Sequence, residues 1–273
     1  MNATSRFSLS RQKLFWLILA TLTVLATILR TVALMGSMDE IGYFQKGSLP
    51  VALFYATVAL IALGCVTLFF LISNKDASRE PVALPRARFV SAAIAAVTLA
   101  ATALFLAVRM SSLPTPTLLN VLTALTLLCG AVYFALRLTA IPITTTALWG
   151  YGAILSLALS LILTYFDQYV QMNAPHKLSF HVCMILAMIA LLLELRDLLD
   201  RPFPRFCVAL TALAAAFCTA TALPNLIAFL GGVYSDVLYL FFDMMTLGVA
   251  VYFGTKCVYY ALSPAKEVPD ERG

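Results

Sequence analysis

Eight long apolar stretches dominate this sequence and restrict the folds that are open to it. Each contains about 20 predominantly apolar residues, which is enough to cross the hydrocarbon core of a membrane as a helix. Because the backbone must satisfy its own hydrogen bonds in lipid, we expect helices rather than open strands. The predicted spans cover residues 14–35, 51–72, 89–108, 118–136, 146–165, 178–198, 206–230 and 233–256.

The low content of charged residues supports the same class of protein. Only 11% of the residues are charged and 62% are hydrophobic, whereas a soluble domain carries about 25% charged residues. A soluble domain of this size also has too little interior to hide eight such helices. We therefore predict an all-α, polytopic integral membrane protein. Residues 1–273 would form one membrane domain of four helical hairpins, with short tails at 1–13 and 257–273.

The basic residues are distributed unevenly between the two sets of predicted loops. With the N-terminus inside, 14 of the 18 Lys and Arg residues lie on the inner side. The outer side has Lys46, Arg109 and Lys177, and Arg30 lies within the first span. Since positive residues favour the cytoplasmic side, both termini are predicted to be cytoplasmic. The expected location is a plasma membrane, and the short loops suggest a bacterial one.

The net charge of +5 does not indicate a nucleic-acid partner. It follows from the loop asymmetry, and the sequence has no basic patch interleaved with aromatic residues. The lipid bilayer is the partner that the composition predicts.

A faint repeat links the two halves of the chain. Tyr, Gln and Pro recur in that order at 43–50, before the second span, and at 169–175, before the sixth. This similarity would relate residues 14–136 to residues 146–256 as a parallel repeat, an arrangement found in transporters. Chance explains so few matches in a biased composition equally well.

An acidic residue, Asp243, lies near the middle of the last predicted span. A carboxylate at that depth costs about 3 kcal/mol by insertion scales, so it requires a partner or a water-filled cavity. Asp236, Tyr239 and Thr246 share its helical face. This polar stripe either lines a site for an ion, proton or solute, or holds helices together through hydrogen bonds.

Arg30, in the first predicted span, lies at a depth compatible with a contact to this stripe. We predict an interaction of Arg30 with Asp243 or Asp236; the alternative is that the arginine reaches the headgroups alone. Asn225 follows Pro224, which removes a backbone donor from the seventh span and is expected to kink it. The candidate intramembrane polar site therefore consists of Asp243, Asp236, Arg30, Tyr239 and Asn225.

Neither a metal site nor a cofactor is predicted. The six cysteines lie in or beside apolar segments and form no C-x-x-C pair, so we interpret them as small buried residues. His176 and His181 are five residues apart, a spacing that does not favour a shared metal, and each is predicted to be an interfacial histidine.

Other patterns are interpreted as features of packing and of the membrane interface. An aromatic belt is predicted from Tyr43, Phe44, Tyr133, Phe134, Tyr252 and Phe253. Close helix contacts are predicted along Gly152, Ser156 and Ser160, and along Ala92, Ala96 and Ala100. The charged run from Glu194 to residue 201 is predicted to be a solvated helix end, with the docking of a partner as the alternative.

No nucleotide-binding loop, dinucleotide fingerprint or nucleophile elbow is present in the sequence, so an enzymatic activity is not favoured. The leading hypothesis is a permease for a small solute or ion, or a membrane subunit of a transport system. Asp243 would be its proton- or cation-coupled group, and Arg30 would set the charge state of that group. The alternative is a non-catalytic membrane sensor, scaffold or assembly partner.

Overall fold

The structure is a computed structural model that describes residues 3–39, 42–72, 85–109, 112–113, 115–139, 143–167, 170, 174–200, 203–233 and 235–262. In these ranges the chain is built from long helices. Their bounds are α1 Ala3–Gly36, α2 Leu49–Leu71, α3 Pro85–Arg109, α4 Thr117–Leu136, α5 Ile143–Phe166, α6 Pro175–Leu198, α7 Pro204–Leu230 and α8 Val237–Leu262.

All eight helices are long and apolar enough to cross a membrane. The predicted all-α architecture is thereby confirmed, and it is compatible with a multi-pass membrane protein. The largest difference from the predicted bounds is in α1, which begins at Ala3 although its membrane-length segment begins at Lys13. Proline lies in the first turn of α2, α6 and α7, where the backbone N–H has no helical acceptor to lose.

Six of the helices form a closed ring. The pairs α3–α4, α4–α5, α5–α6, α6–α7, α7–α8 and α8–α3 all pack together. Apolar side chains from all six helices fill the interior of this ring, including Leu99, Leu127, Leu157, Met184, Ala214 and Met245. The other two helices, α1 and α2, pack against each other and against α7 outside the ring.

The central element is α7, because it belongs to both packing layers. Ala214 and Cys218 face the interior of the ring, while Ala212, Ala216 and Ala220 face α1 and α2. Small side chains on both faces let the neighbouring backbones approach closely. The sequence of α7 therefore places a helix from the ring next to Arg30 of α1.

The predicted small-residue contact of α5 is confirmed. Gly152 lies so close to α4 that an added Cβ would be 2.7 Å from the Cβ of Cys129. Ser156 and Ser160 are fully buried on the same face, and their hydroxyls donate to the carbonyl oxygens of Ala153 and Ser156. These serines are satisfied within their own helix.

The predicted aromatic belt is wrong for four of its six members. Tyr133, Phe134, Tyr252 and Phe253 are buried in the interior of the ring, and the rings of Phe134 and Tyr252 are 4.9 Å apart. Composition places aromatic residues near a helix end but does not say which face they occupy. Tyr133 and Tyr252 lie beside a buried carboxylate described below.

The predicted repeat remains a prediction. Residues 168–169 and 171–173, which carry part of its second copy, lie outside the described residues.

The close contact between α4 and α5 can be tested by overpacking. Gly152→Leu should lower the free energy of unfolding by about 1–3 kcal/mol or more, because α4 and α5 must separate to admit the larger side chain. Gly254→Leu is the matched control, since no atom lies within 4 Å of a Cβ added at Gly254. The measurement is unfolding of the purified protein in detergent. Equal stability of the two variants would contradict this packing.

Candidate functional site

Polar side chains from four helices converge at one end of the bundle. At this end α1 and α7 finish and α6 and α8 begin. It is called the Asp243 end below, and the opposite end, where α6 and α8 finish, is called the Glu194 end.

The carboxylate of Asp243 is held between α6 and α7. Its side chain is almost fully buried, since the residue is 3% exposed. Oδ1 accepts a hydrogen bond from Nδ2 of Asn225 at 3.0 Å, and Oδ2 lies 3.0 Å from Nε2 of His176. The buried acid thus has polar partners on two other helices, as its position within an apolar helix requires.

Arg30 points into the bundle and joins the same network. It is only 2% exposed. Its Nη2 donates to Oγ of Ser179 at 2.7 Å and to Oδ1 of Asn225 at 3.3 Å. The guanidinium carbon lies 5.3 Å from the centre of the Phe54 ring on α2. The amide of Asn225 therefore connects the predicted pair, because it accepts from Arg30 and donates to Asp243.

The hydroxyl of Ser179 is fixed by its own helix. It donates to the carbonyl oxygen of Pro175 at 2.6 Å, which leaves its lone pairs available to Arg30. The start of α6 thereby supplies two groups to the network. The Ser179 hydroxyl accepts a hydrogen bond from Arg30, and the His176 imidazole, one turn away, contacts Asp243.

Pro224 places a local irregularity beside Asn225. Proline has no N–H to donate to the carbonyl oxygen of Ala220, so α7 lacks one of its backbone hydrogen bonds there. The Thr221 hydroxyl, one turn from Asn225, is buried and has no hydrogen-bond partner among the described residues. The part of α7 that faces the network thus contains polar groups that have no hydrogen-bond partner within the helix.

Tyr239 lies on the side of the network nearer to the end of the bundle. Its ring centre is 4.6 Å from that of His176, with the planes at 66°. It also interacts electrostatically with the carboxylates of Asp167, Asp236 and Asp243. Tyr239 therefore lies near both Asp243 and the acidic groups at the start of α8 and the end of α5.

Asp236 has a different local role from the other predicted site residues. Its Oδ1 accepts a hydrogen bond from the backbone N–H of Leu238 at 2.8 Å, so it caps the first turn of α8. The residue is half-buried, and burial raises the pKa of its carboxyl group. Thr246, the innermost member of the predicted stripe, donates to the carbonyl oxygen of Phe242 within α8.

Sequence reasoning missed the contribution of α6. His176 was expected at the membrane interface, but the structure buries it against Asp243. The available signal was the spacing of His176 and Ser179, which places two polar residues on one face of the first turn.

Lys177 also differs from expectation. It was counted as an outer-loop cation, but it is fully buried. Its Nζ donates to the carbonyl oxygens of Asp167 at 2.9 Å and Val170 at 3.0 Å. These carbonyls follow the C-terminus of α5, where backbone acceptors have no helical donor and a cation is favourable.

A second buried network lies at the Glu194 end, and it corrects the predicted solvated helix end. Glu194 is 3% exposed, whereas Arg196 and Asp197 are exposed as expected. The hydroxyl of Tyr252 donates to Oε1 at 2.5 Å. Arg137 Nη2 lies 3.1 Å from Oε1, and Lys256 Nζ lies 2.7 Å from Oε2.

The structure was also searched for metal-binding groups, and the chain was compared with known proteins. Among the described residues, no group of three or more His, Cys, Asp or Glu side chains could hold a metal ion. All six cysteines are free thiols. Comparisons with protein-family models, curated proteins and solved structures found no match.

The connection between Arg30 and Asp243 can be tested with a double-mutant cycle. Arg30→Met should lower the free energy of unfolding by about 3–5 kcal/mol, because it leaves a buried carboxylate without its nearby cation. In combination with Asp243→Asn, the loss should be smaller than the sum of the two single losses by at least about 0.5 kcal/mol. The control combines Arg30→Met with Asp197→Asn at the other end, where additivity is expected. Additive effects at positions 30 and 243 would contradict the network.

Proposed function

We propose that this protein is a membrane permease for a small solute or ion, or a membrane subunit of a transport system, in which Asp243 exchanges a proton. The observation that carries this proposal is the 3.0 Å contact between the buried Asp243 carboxylate and His176. It places two titratable groups together inside helices that are otherwise apolar.

Such a contact suits proton binding better than a fixed structural charge. Histidine is the side chain whose charge changes most readily near neutral pH. Burial makes an uncompensated charge costly, so a buried titratable group gains or loses a proton when its surroundings change. A proton that binds at Asp243 or His176 would therefore change the charge of this contact while both side chains lie inside the bundle.

Arg30 would link this protonation to the helix contacts. Its guanidinium remains positive, so each proton that binds at Asp243 or His176 changes the net charge of the network by one unit. Asn225 touches both the guanidinium and the carboxylate. A change in the charge of Asp243 would consequently alter hydrogen bonds that join α1, α7 and α8.

Access for a proton is plausible on the side of the network that Tyr239 occupies. Tyr239 contacts the His176 ring, and the half-buried Asp236 lies one turn closer to the helix end. These groups supply polar side chains between Asp243 and the end of the bundle.

A second candidate is a non-catalytic membrane scaffold, sensor or assembly partner. The observation that favours it is that the same hydrogen bonds, 2.7–3.3 Å long, tie α1, α6, α7 and α8 together while their side chains are buried. Interhelical hydrogen bonds of this kind can serve stability alone. Transport measurements separate the two functions.

The loop charges support a cytoplasmic location for both termini, with the Asp243 end on the outer face of a bacterial plasma membrane. Green fluorescent protein fused after residue 273 should then fluoresce in cells, and alkaline phosphatase fused there should be inactive. The reverse pair of results would contradict this orientation.

The transport proposal predicts proton flux through the reconstituted protein. Proteoliposomes with an internal pH dye and a potassium diffusion potential set by valinomycin should show proton uptake, alone or with an added solute gradient. Asp243→Asn should reduce uptake to the rate of protein-free liposomes, because the amide cannot bind the proton.

Asp197→Asn is the matched control, since it makes the same chemical change at an exposed position. It should retain the unmodified protein's rate. If the folded protein gives no flux across a panel of ions and small solutes, while Asp243→Asn only lowers its stability, the scaffold function replaces the permease.

A further inference from the structure

We infer that the network around Glu194 is the latch that closes the opposite end of the same permease. This inference rests on the proposed transport function, because a permease must keep its central site closed on one side while the other is open. The latch consists of Glu194 on α6, Arg137 at the end of α4, and Tyr252 and Lys256 on α8.

Glu194 joins three helices through one carboxylate. Oε1 contacts Arg137 and Tyr252, and Oε2 contacts Lys256, all between 2.5 and 3.1 Å. Arg137 Nε also lies 3.4 Å from the hydroxyl of Tyr252, within hydrogen-bonding distance. Three of these four contacts depend on the Glu194 side chain, and together the four hold the ends of α4, α6 and α8 in place.

The charges around Glu194 are arranged so that the loss of its negative charge would favour opening of this end of the bundle. The groups that face Glu194 from the surrounding helices are Tyr133, Arg137, Cys207, Tyr252, Lys256 and Tyr260. Two of these are cations, and Glu194 is the carboxylate that both of them contact. Without its negative charge, Arg137 and Lys256 would repel each other and favour separation of α4 from α8.

The latch lies between the interior of the bundle and the solvent. The side chains of Arg137 and Lys256 are 15% and 21% exposed, whereas that of Glu194 is 3% exposed. Ions or water that enter from this end would meet the cations first. The Glu194 carboxylate lies behind them, where the proposed latch would close this end.

Both networks use α6 and α8, so a change at one end can reach the other. On α6, His176 and Glu194 are separated by about 27 Å at 1.5 Å per residue. Apolar residues such as Met184, Ala187 and Val249 fill the region between the two networks. Rigid helices that carry a proton-binding site at one end and an ionic latch at the other would couple the two ends, as alternating access requires.

Native cysteines distinguish opening at the Glu194 end from opening of the buried interior. Cys207 and Cys257 lie near Glu194 and Lys256 at the Glu194 end. Cys183 and Cys218 are fully buried farther along the bundle, and Cys218 Sγ lies 3.7 Å from the carbonyl oxygen of Cys183. Opening of the latch should therefore expose Cys207 and Cys257 but leave Cys183 and Cys218 buried.

The test is labelling of the full-length protein in nanodiscs with a charged maleimide, resolved by cysteine with mass spectrometry. In Glu194→Gln, Cys207 and Cys257 should react at least about fivefold faster than in the unmodified protein, with Cys183 and Cys218 unchanged. Asp197→Asn is the matched control, because it makes the same carboxylate-to-amide change at an exposed position on α6 and should change labelling little. Lys256→Gln, read at Cys207, should give an intermediate increase.

Each other result overturns the latch. Unchanged labelling in Glu194→Gln shows that the ion pairs do not hold this end closed. Faster labelling of all four cysteines in both Glu194→Gln and Lys256→Gln identifies the network as a folding element. An equal effect of Asp197→Asn shows that any loss of negative charge at this end exposes the cysteines, and that the Glu194 contacts are not a specific latch. None of these results bears on the loss of proton flux in Asp243→Asn, so the two proposals fail separately.

Discussion

The cost of burying charge among apolar helices organises this structure. Arg30, Lys177, Glu194 and Asp243 are all buried, and each contacts polar groups that come from another part of the chain. Because an uncompensated charge in such surroundings is expensive, each contact fixes which helix must lie beside which. Removing one partner would penalise the fold more than the loss of an ordinary surface ion pair.

The contacts of Arg30 and Asp243 with Asn225 depend on the position of α7. Its alanine-rich faces bring α1 against the ring, which places Arg30 next to Asn225. Asn225 then reaches Asp243 on α8. The packing of small residues and the polar network are therefore two parts of one arrangement, and a larger side chain on either face of α7 would separate the charges from their partners.

Sequence alone was sufficient for the helices, because apolar length predicted all eight of them. The site shared by Arg30 and Asp243 remains a prediction, and the structure links these two side chains through Asn225. Sequence was not sufficient to place His176 or Glu194, because their partners are distant in sequence and a charged residue near a helix end can face inward or outward. The same ambiguity misplaced Tyr133 and Tyr252, whose amphipathic rings suit both an interface and the surroundings of a buried carboxylate.

The central claim is that Asp243 exchanges a proton while it remains inside the bundle. An infrared difference spectrum of the protein in lipid, recorded between high and low pH, measures this directly through the carbonyl stretch of a protonated carboxyl group. The account predicts a band that appears on acidification and is absent from Asp243→Asn but present in Asp197→Asn. Identical spectra of the unmodified protein and Asp243→Asn would show that this carboxylate keeps one protonation state, and would contradict the claim.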